Sequence, residues 1–234
     1  MHLVESSGIS KIYRTGDVTV EAIKDVSFTI DQSSFVAFVG PSGSGKSTLL
    51  NMVGCLDPPS SGVLRVAGQN IQDMSRSDAA AFRGNNIGFV FQDFNLIPVL
   101  SVFENVEYPL IMVQNWPKAR RQRRVYELLE AVGVADQADK FPRQISGGQK
   151  QRVAIARALV TSARLVLADE PTANLDRKSA ERIIALMKKM RDEFDTSFLF
   201  STHDPRVVNN AEIIFTLEDG RLISRENGEG GTHG

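Results

Sequence analysis

Phe35-Val36-Ala37-Phe38-Val39, followed by Gly40-Pro41-Ser42-Gly43-Ser44-Gly45-Lys46-Ser47-Thr48-Leu49-Leu50, is the stretch on which the reading of this chain turns. The apolar run predicts a buried strand. The next eight residues fit the pattern G-x-x-x-x-G-K-[ST]. Glycines at these spacings let backbone N–H groups converge on phosphate oxygens. A helix starting near Lys46, with Leu49, Leu50, Met52 and Val53 for its buried face, would aim its positive dipole end at the same anion. In such a cradle the Lys46 ammonium reaches the β and γ phosphates and the Ser47 hydroxyl can ligate Mg²⁺. Gly40 to Thr48 are therefore the candidate phosphate-binding residues.

Later in the chain, Leu165-Val166-Leu167-Ala168 reads as a second buried strand, and it ends in Asp169-Glu170. Consecutive strand residues point to opposite faces, so the two carboxylates suit two roles. Asp169 would serve the Mg²⁺ coordination sphere, through water. Glu170 would sit beside an attacking water as base or positioning group. Around this pair the texture is βαβ: Ser197–Ser201 predicts another buried strand, with an amphipathic helix over Ser179–Phe194 between them. Towards the N-terminus, Val18–Val20, Val26–Ile30 and Val63–Val66 predict short strands. From Gln92 to about Ala163 the signals are helical, with Asn115-Trp116-Pro117 as a helix entry and a stop near Gly133. The pattern predicts an α/β core with a helical insertion, and Glu226–Gly234 is too polar and glycine-rich to be assigned structure.

Composition narrows the function classes. Lys+Arg 27 against Asp+Glu 28 gives a net charge of -1, which argues against nucleic acid as a main partner. The single cysteine, Cys55, rules out an intrachain disulfide. No apolar stretch is long enough to span a bilayer, so a membrane role is expected to go through a partner. The run Lys118-Ala119-Arg120-Arg121-Gln122-Arg123-Arg124 reads as a solvated helix face, with a contact to anionic lipid as the alternative.

A phosphate loop serves many folds, so the class rests on a third segment. Ile145-Ser146-Gly147-Gly148-Gln149 precedes a helical run from Lys150 to Leu159. Ser146 reads as its N-cap, and two glycines at the helix start expose N–H groups to an anion. The segment resembles the signature of ATP-binding-cassette proteins, which lies directly upstream of the Asp-Glu strand, as here. The resemblance extends from about Val4 to Ile223. It identifies Tyr13 with the residue that stacks on adenine, and Gln92 with the glutamine that senses Mg²⁺ and contacts the partner. Asn174-Leu175-Asp176 matches the loop crossing the dimer interface, and His203 matches the switch histidine near the γ-phosphate. Ile145 stands where leucine is usual, and Ala173-Asn174 where Ser-Ala is commoner; neither change removes a reacting group.

The resemblance implies a P-loop NTPase core of RecA-like, mostly parallel sheet, with an N-terminal antiparallel β subdomain and an inserted α-helical subdomain. It implies a single ATPase domain over residues 1–225, with the insert at about 93–160 and a flexible tail at 226–234. It also implies ATP and Mg²⁺ as ligands, with Ser146, Gly147, Gly148 and Gln149 of one copy completing the site of a second. Glu170 and His203 would carry hydrolysis, and the partner would be an integral-membrane permease on the cytoplasmic face. The absence of sustained heptads argues against a chromosome- or repair-type ATPase, and a single cassette argues against the two-cassette translation-factor type. Gly54-Cys55-Leu56-Asp57, Ile87 to Pro98, and Glu104-Asn105-Val106-Glu107 resemble cassettes of lipoprotein-release and macrolide-efflux systems. On that resemblance Phe94, Leu96 and Ile97 would form a docking groove for a permease helix. Importer cassettes and non-transporting cell-division complexes are the alternatives.

Overall fold

The computed structural model describes residues 2–228. From the N-terminus, β1 (Val4–Thr15) and β2 (Val18–Ile30) form a hairpin, and β3 (Phe35–Val39) feeds the phosphate loop and α1 (Lys46–Val53). Next come β4 (Ser61–Val66), β5 (Gln69–Asn70), α2 (Arg76–Asn86) and β6 (Ile87–Val90). A helical stretch follows: α3 (Val102–Pro109), a π-helical segment Leu110–Gln114, α4 (Lys118–Ala131) and α5 (Gly147–Leu159). The chain closes with β7 (Leu165–Asp169), α6 (Arg177–Phe194), β8 (Ser197–Ser201), α7 (Pro205–Val208), β9 (Ile213–Glu218) and β10 (Arg221–Asn227).

Two sheets result. The first is antiparallel, ordered β2-β1-β4-β5, and the second is ordered β10-β9-β3-β8-β7-β6. In the second sheet β9, β3, β8, β7 and β6 run parallel, and only β10 is antiparallel. Its strands are apolar on both faces because both are covered. Phe35, Ala37, Val166, Ala168, Phe198 and Phe200 point into a core shared with α3, α4, α5 and α6. The alternate residues Val36, Phe38, Leu165, Leu167 and Leu199 point into a second core beneath α1 and the antiparallel sheet. Full burial of each Val, Leu or Phe among them stabilises the fold by about 1.5–3 kcal/mol. The parallel strands consequently end together, with the phosphate loop after β3, Asp169-Glu170 at the end of β7 and Thr202-His203 after β8 emerging from one edge.

Several local expectations need correction. Val18–Val20 and Val26–Ile30 belong to one strand, because the polar stretch between them lies on the exposed edge of the antiparallel sheet and is absorbed by register shifts against β1. The helix expected from Ser179 begins at Arg177, capped by Asp176, whose carboxylate accepts from the Ser179 amide at 3.0 Å. Glu226 and Asn227 are strand residues paired to β9, so the tail begins later than expected; residues 229–234 lie outside the described residues. Pro117 is the N-cap of α4, one position ahead of its first turn.

The basic run is only partly a solvated face. Arg121 pairs with Glu107 of α3 at 2.8 Å. Arg124 donates to the Leu159 carbonyl at 3.2 Å, at the C-terminal end of α5 where a cation is favoured. Arg120 stacks on Trp116 with its guanidinium 3.7 Å from the ring centroid. Lys118 and Arg123 remain exposed.

Candidate active site

The phosphate loop is built by a backbone that only glycine tolerates at its critical point. Gly45 has φ 101°, and a Cβ there would lie 2.6 Å from the Ala22 carbonyl oxygen. No side chain caps α1. Its first-turn amides therefore have no intrahelical partner and face outward as an anion site. Lys46 lies across the loop, its ammonium donating to the Gly40 and Pro41 carbonyls at 2.8 and 2.9 Å. The loop opens into a cleft of about 810 Å³, floored by Gly40 to Thr48 with one exception. Ser44 is buried, and its hydroxyl has no hydrogen-bond partner.

Facing the loop across this cleft are Gln92, Asp169, Glu170, Ser201 and His203. The Ser47 hydroxyl donates to Asp169 at 3.2 Å. Among the described residues no three His, Cys, Asp or Glu side chains converge as a metal cage. A hydroxyl, one carboxylate and the amide oxygen of Gln92 form a sparse set of hard oxygen donors. Such a set fits Mg²⁺, which is held by one or two carboxylates, waters and substrate phosphates. Bound there, the ion would neutralise developing phosphate charge.

Glu170 is held through its backbone amide and both carboxylate oxygens. Its backbone is in the left-handed region, φ 45°, as are those of ten other non-glycine residues among the described ones. Its amide donates to the Ser201 carbonyl at 2.9 Å, fastening the end of β7 to the end of β8. One carboxylate oxygen lies 2.6 Å from His203 Nδ1, and the other accepts from the Thr202 hydroxyl at 3.1 Å. The carboxylate is mostly shielded while His203 is largely exposed, at 18% and 78% side-chain exposure. The pair brings a carboxylate oxygen and an imidazole nitrogen together among the residues that line the cleft.

Beneath it sits Asp204. Burial of Asp204 works against its ionisation, but the Arg206 and Thr172 hydrogen bonds outweigh it and hold the carboxyl at about 2, below the ordinary 3.8. The folded value lies below the unfolded one, so the stabilisation is present above about pH 4 and is lost as pH falls through about 2. Asp204→Asn is expected to lower stability at neutral pH by about 1–3 kcal/mol. In urea titrations the gap from wild type should stay constant down to about pH 5 and narrow below it.

Not every expected site residue is in the cleft. Tyr13 lies on β1, its hydroxyl donating to Asp57 at 2.9 Å, while its cross-strand partner Val20 lines the cleft. Ser146, Gly147, Gly148 and Gln149 do not line it. They begin α5, where Ser146 and Gln149 cap each other's backbone amides. Asp176 is also outside the cleft, as the cap of α6; hydrogen bonds from the Ser179 side chain and amide keep its carboxyl below the usual range. Phe94 and Ile97 are half-buried, and Leu96 packs on the helical-side core. Their segment is held by Asn105, which bonds the Ile97 backbone in both directions, and by Arg157, which donates to the Phe94 carbonyl. Sequence reasoning missed the wall formed by Val20, Glu21, Ala22 and Lys24 and by Asp219-Gly220. That wall depends on a long-range backbone bond, Lys24 N–H to the Gly220 carbonyl at 2.8 Å, which leaves no local signal.

The model of the ABC transporter family matches residues 23–173, from β2 through the phosphate loop and the signature to the turn after Glu170. The chain belongs to the ABC transporter family. This cassette is 46% identical over 223 residues to the uncharacterized ABC transporter ATP-binding protein YvrO of Bacillus subtilis (strain 168), covering 95% of this chain and 96% of that one. It is 43% identical over 222 residues to the macrolide export ATP-binding/permease protein MacB 1 of Yersinia pestis bv. Antiqua, covering 95% of the cassette but 34% of that protein. The cassette thus spans about a third of the length of such macrolide-export relatives. A solved dimer of the ATP-binding cassette MJ0796 in a post-hydrolysis state, bound to ADP and Pi, superposes with a TM-score of 0.87 at 40% identity. That likeness covers 96% of this chain and 98% of the other. The expected fold, mixed α/β with an antiparallel N-terminal sheet and a helical insert, is borne out, and with it the assignment as an ATP-binding cassette.

Proposed function

We propose that this cassette hydrolyses Mg-ATP as a dimer of two copies and drives a separate membrane permease in export. The observation that carries the catalytic part is the Glu170–His203 contact at 2.6 Å, facing the phosphate loop across one cleft. The phosphates of ATP lie on the amides of the loop and of the first turn of α1, and Lys46 leaves its two carbonyls to meet the β and γ oxygens. Ser47 and Gln92, with Asp169 through water, would hold Mg²⁺, which would supply charge neutralisation at the phosphates. Glu170 orients the attacking water and takes up its proton, and His203 stabilises the charge gathering on the γ-phosphoryl oxygens.

The dimer reading is supported by the place of Ser146 to Gln149. These residues form a glycine-containing helix N-terminus that does not line the cassette's own cleft, and MJ0796 forms a dimer. Two copies facing each other would bring each signature onto the other's γ-phosphate. Closing on ATP and opening after hydrolysis would then move a permease docked near Gln92 and Phe94. Tyr13 would stack on adenine at the outer edge, and Asp176 would stand at the dimer interface. No helix among the described residues is long and apolar enough to cross a membrane, so the mechanical work would pass to a partner on the cytoplasmic face.

Export is favoured because proteins named for macrolide export carry the similar segment within a longer chain. Efflux of antibiotics or peptides, or lipoprotein release, is the proposed task. Affinity capture from the native membrane tests it. A permease with few spans and a large external domain, whose reconstitution raises ATP turnover, is the expected result. Capture of a many-span importer with a binding protein would refute the export reading.

A further inference from the structure

We propose that Thr202 is a positioning residue that aims the Glu170 carboxylate, and that its single hydroxyl proton is committed to this task by the backbone of Asp204. Thr202 has no exposed surface, so no water competes for its hydroxyl. That oxygen accepts from the Asp204 amide at 3.0 Å and lies 3.1 Å from Oε2 of Glu170. A hydroxyl has one proton, and an ionised carboxylate has none to give. With one lone pair taken by the amide, the Thr202 proton is left for the acceptor the structure places within reach, the Glu170 carboxylate.

The consequence for Glu170 is geometric. A glutamate carries several rotatable bonds, and its carboxylate would otherwise sample many orientations. Pinning one oxygen from below leaves the other, the one beside His203, directed at the cleft. The donor is itself immobilised. The Thr202 amide donates to the Phe38 carbonyl at 3.1 Å, at the end of β3 just before the phosphate loop. Asp204 is gripped by the Thr172 hydroxyl at 2.6 Å and by Arg206 at 2.7 Å. Thr172 follows Glu170 by two residues and leads toward Asp176. Thr202 therefore ties the water-directing carboxylate to the end of β3 through its amide and to Asp204 through its hydroxyl, and Asp204 in turn holds Thr172 in the segment expected at the dimer interface.

This inference rests on the role proposed for Glu170, and the test separates the two. Thr202→Val keeps the shape and removes the proton, whereas Thr202→Ser keeps the proton and removes a methyl. ATP turnover by the full chain should fall at least about 10-fold in T202V, the scale of a hydrogen bond to a charged group. The KM for ATP should not change, and T202S should retain turnover within about 3-fold of wild type, since its hydroxyl still makes the charged bond. Thr202→Ala provides the same comparison if valine prevents folding. Turnover in T202V within 2-fold of wild type would overturn the proposal, as would an equal loss in T202V and T202S. A rise in KM parallel to the fall in turnover would also overturn it, by showing a structural role. Glu170→Gln measured alongside decides the other question: normal hydrolysis there would remove the role of Glu170, and that of Thr202 with it.

Discussion

Glu170→Gln is expected to lower steady-state ATP hydrolysis by about 10²–10⁴-fold, the range lost with a general base. It should leave nucleotide binding intact. The substitution is nearly isosteric, and the amide oxygen can still accept from Thr202, so the turn between β7 and the segment leading to α6 keeps its anchor. What disappears is the negative charge and basicity beside His203. The phosphate loop makes no contact through the Glu170 carboxylate, so affinity for ATP should hold or rise as the hydrolysable state accumulates. Phosphate release and a fluorescent-nucleotide titration on the same preparation check both halves. Unchanged phosphate release would show that the carboxylate nearest the cleft mouth is a bystander.

Gly148→Ala should abolish most hydrolysis, by about 10²–10³-fold, on the scale of losing a donor to a developing oxyanion. It should do so without weakening ATP binding to the single chain. The reasoning begins with space. A Cβ on Gly148 would meet only Ser179, at 3.7 Å and beyond, an ordinary van der Waals contact within its own chain. Alanine also favours the helix over glycine. Nothing intramolecular therefore needs glycine at this position. In the proposed dimer, a phosphate approaching the α5 N-terminus from a second copy would need it, because the added methyl would hold that oxygen away from the amides. Ser146→Ala is a less clean test, since loss of its cap alone costs about 1 kcal/mol. If G148A instead lost ATP binding as a monomer, the signature would belong to its own chain's site, contrary to the account.

The parts of the site that the sequence shows are those whose chemistry is local. The phosphate loop, the Asp169-Glu170 strand end and the Ser146 cap each combine a residue pattern with an adjoining element, and each appears where the pattern puts it. The clustering of β3, β7 and β8 ends follows from their apolar character, since strands apolar on both faces must be central and parallel. Less legible was α2, which buries no residue and has no apolar period to detect. Its only sequence signal is the Ser75 cap with Asp78 three residues on, backed by a run of alanines. β10 was hidden because it is an edge strand with alternating half-exposed residues, so the chain reads as tail before it pairs with β9. The Thr202–Asp204–Thr172 linkage spans separate loops. No spacing rule reaches across them.

Sedimentation velocity of the Glu170→Gln chain, with and without Mg-ATP, tests the central claim most directly. One chain carries the phosphate loop and presents its signature elsewhere, so ATP is predicted to convert a single-chain species into one of twice the mass, with two nucleotides bound. ATP bound by a species that keeps the mass of one chain would contradict the composite site and the mechanism built on it.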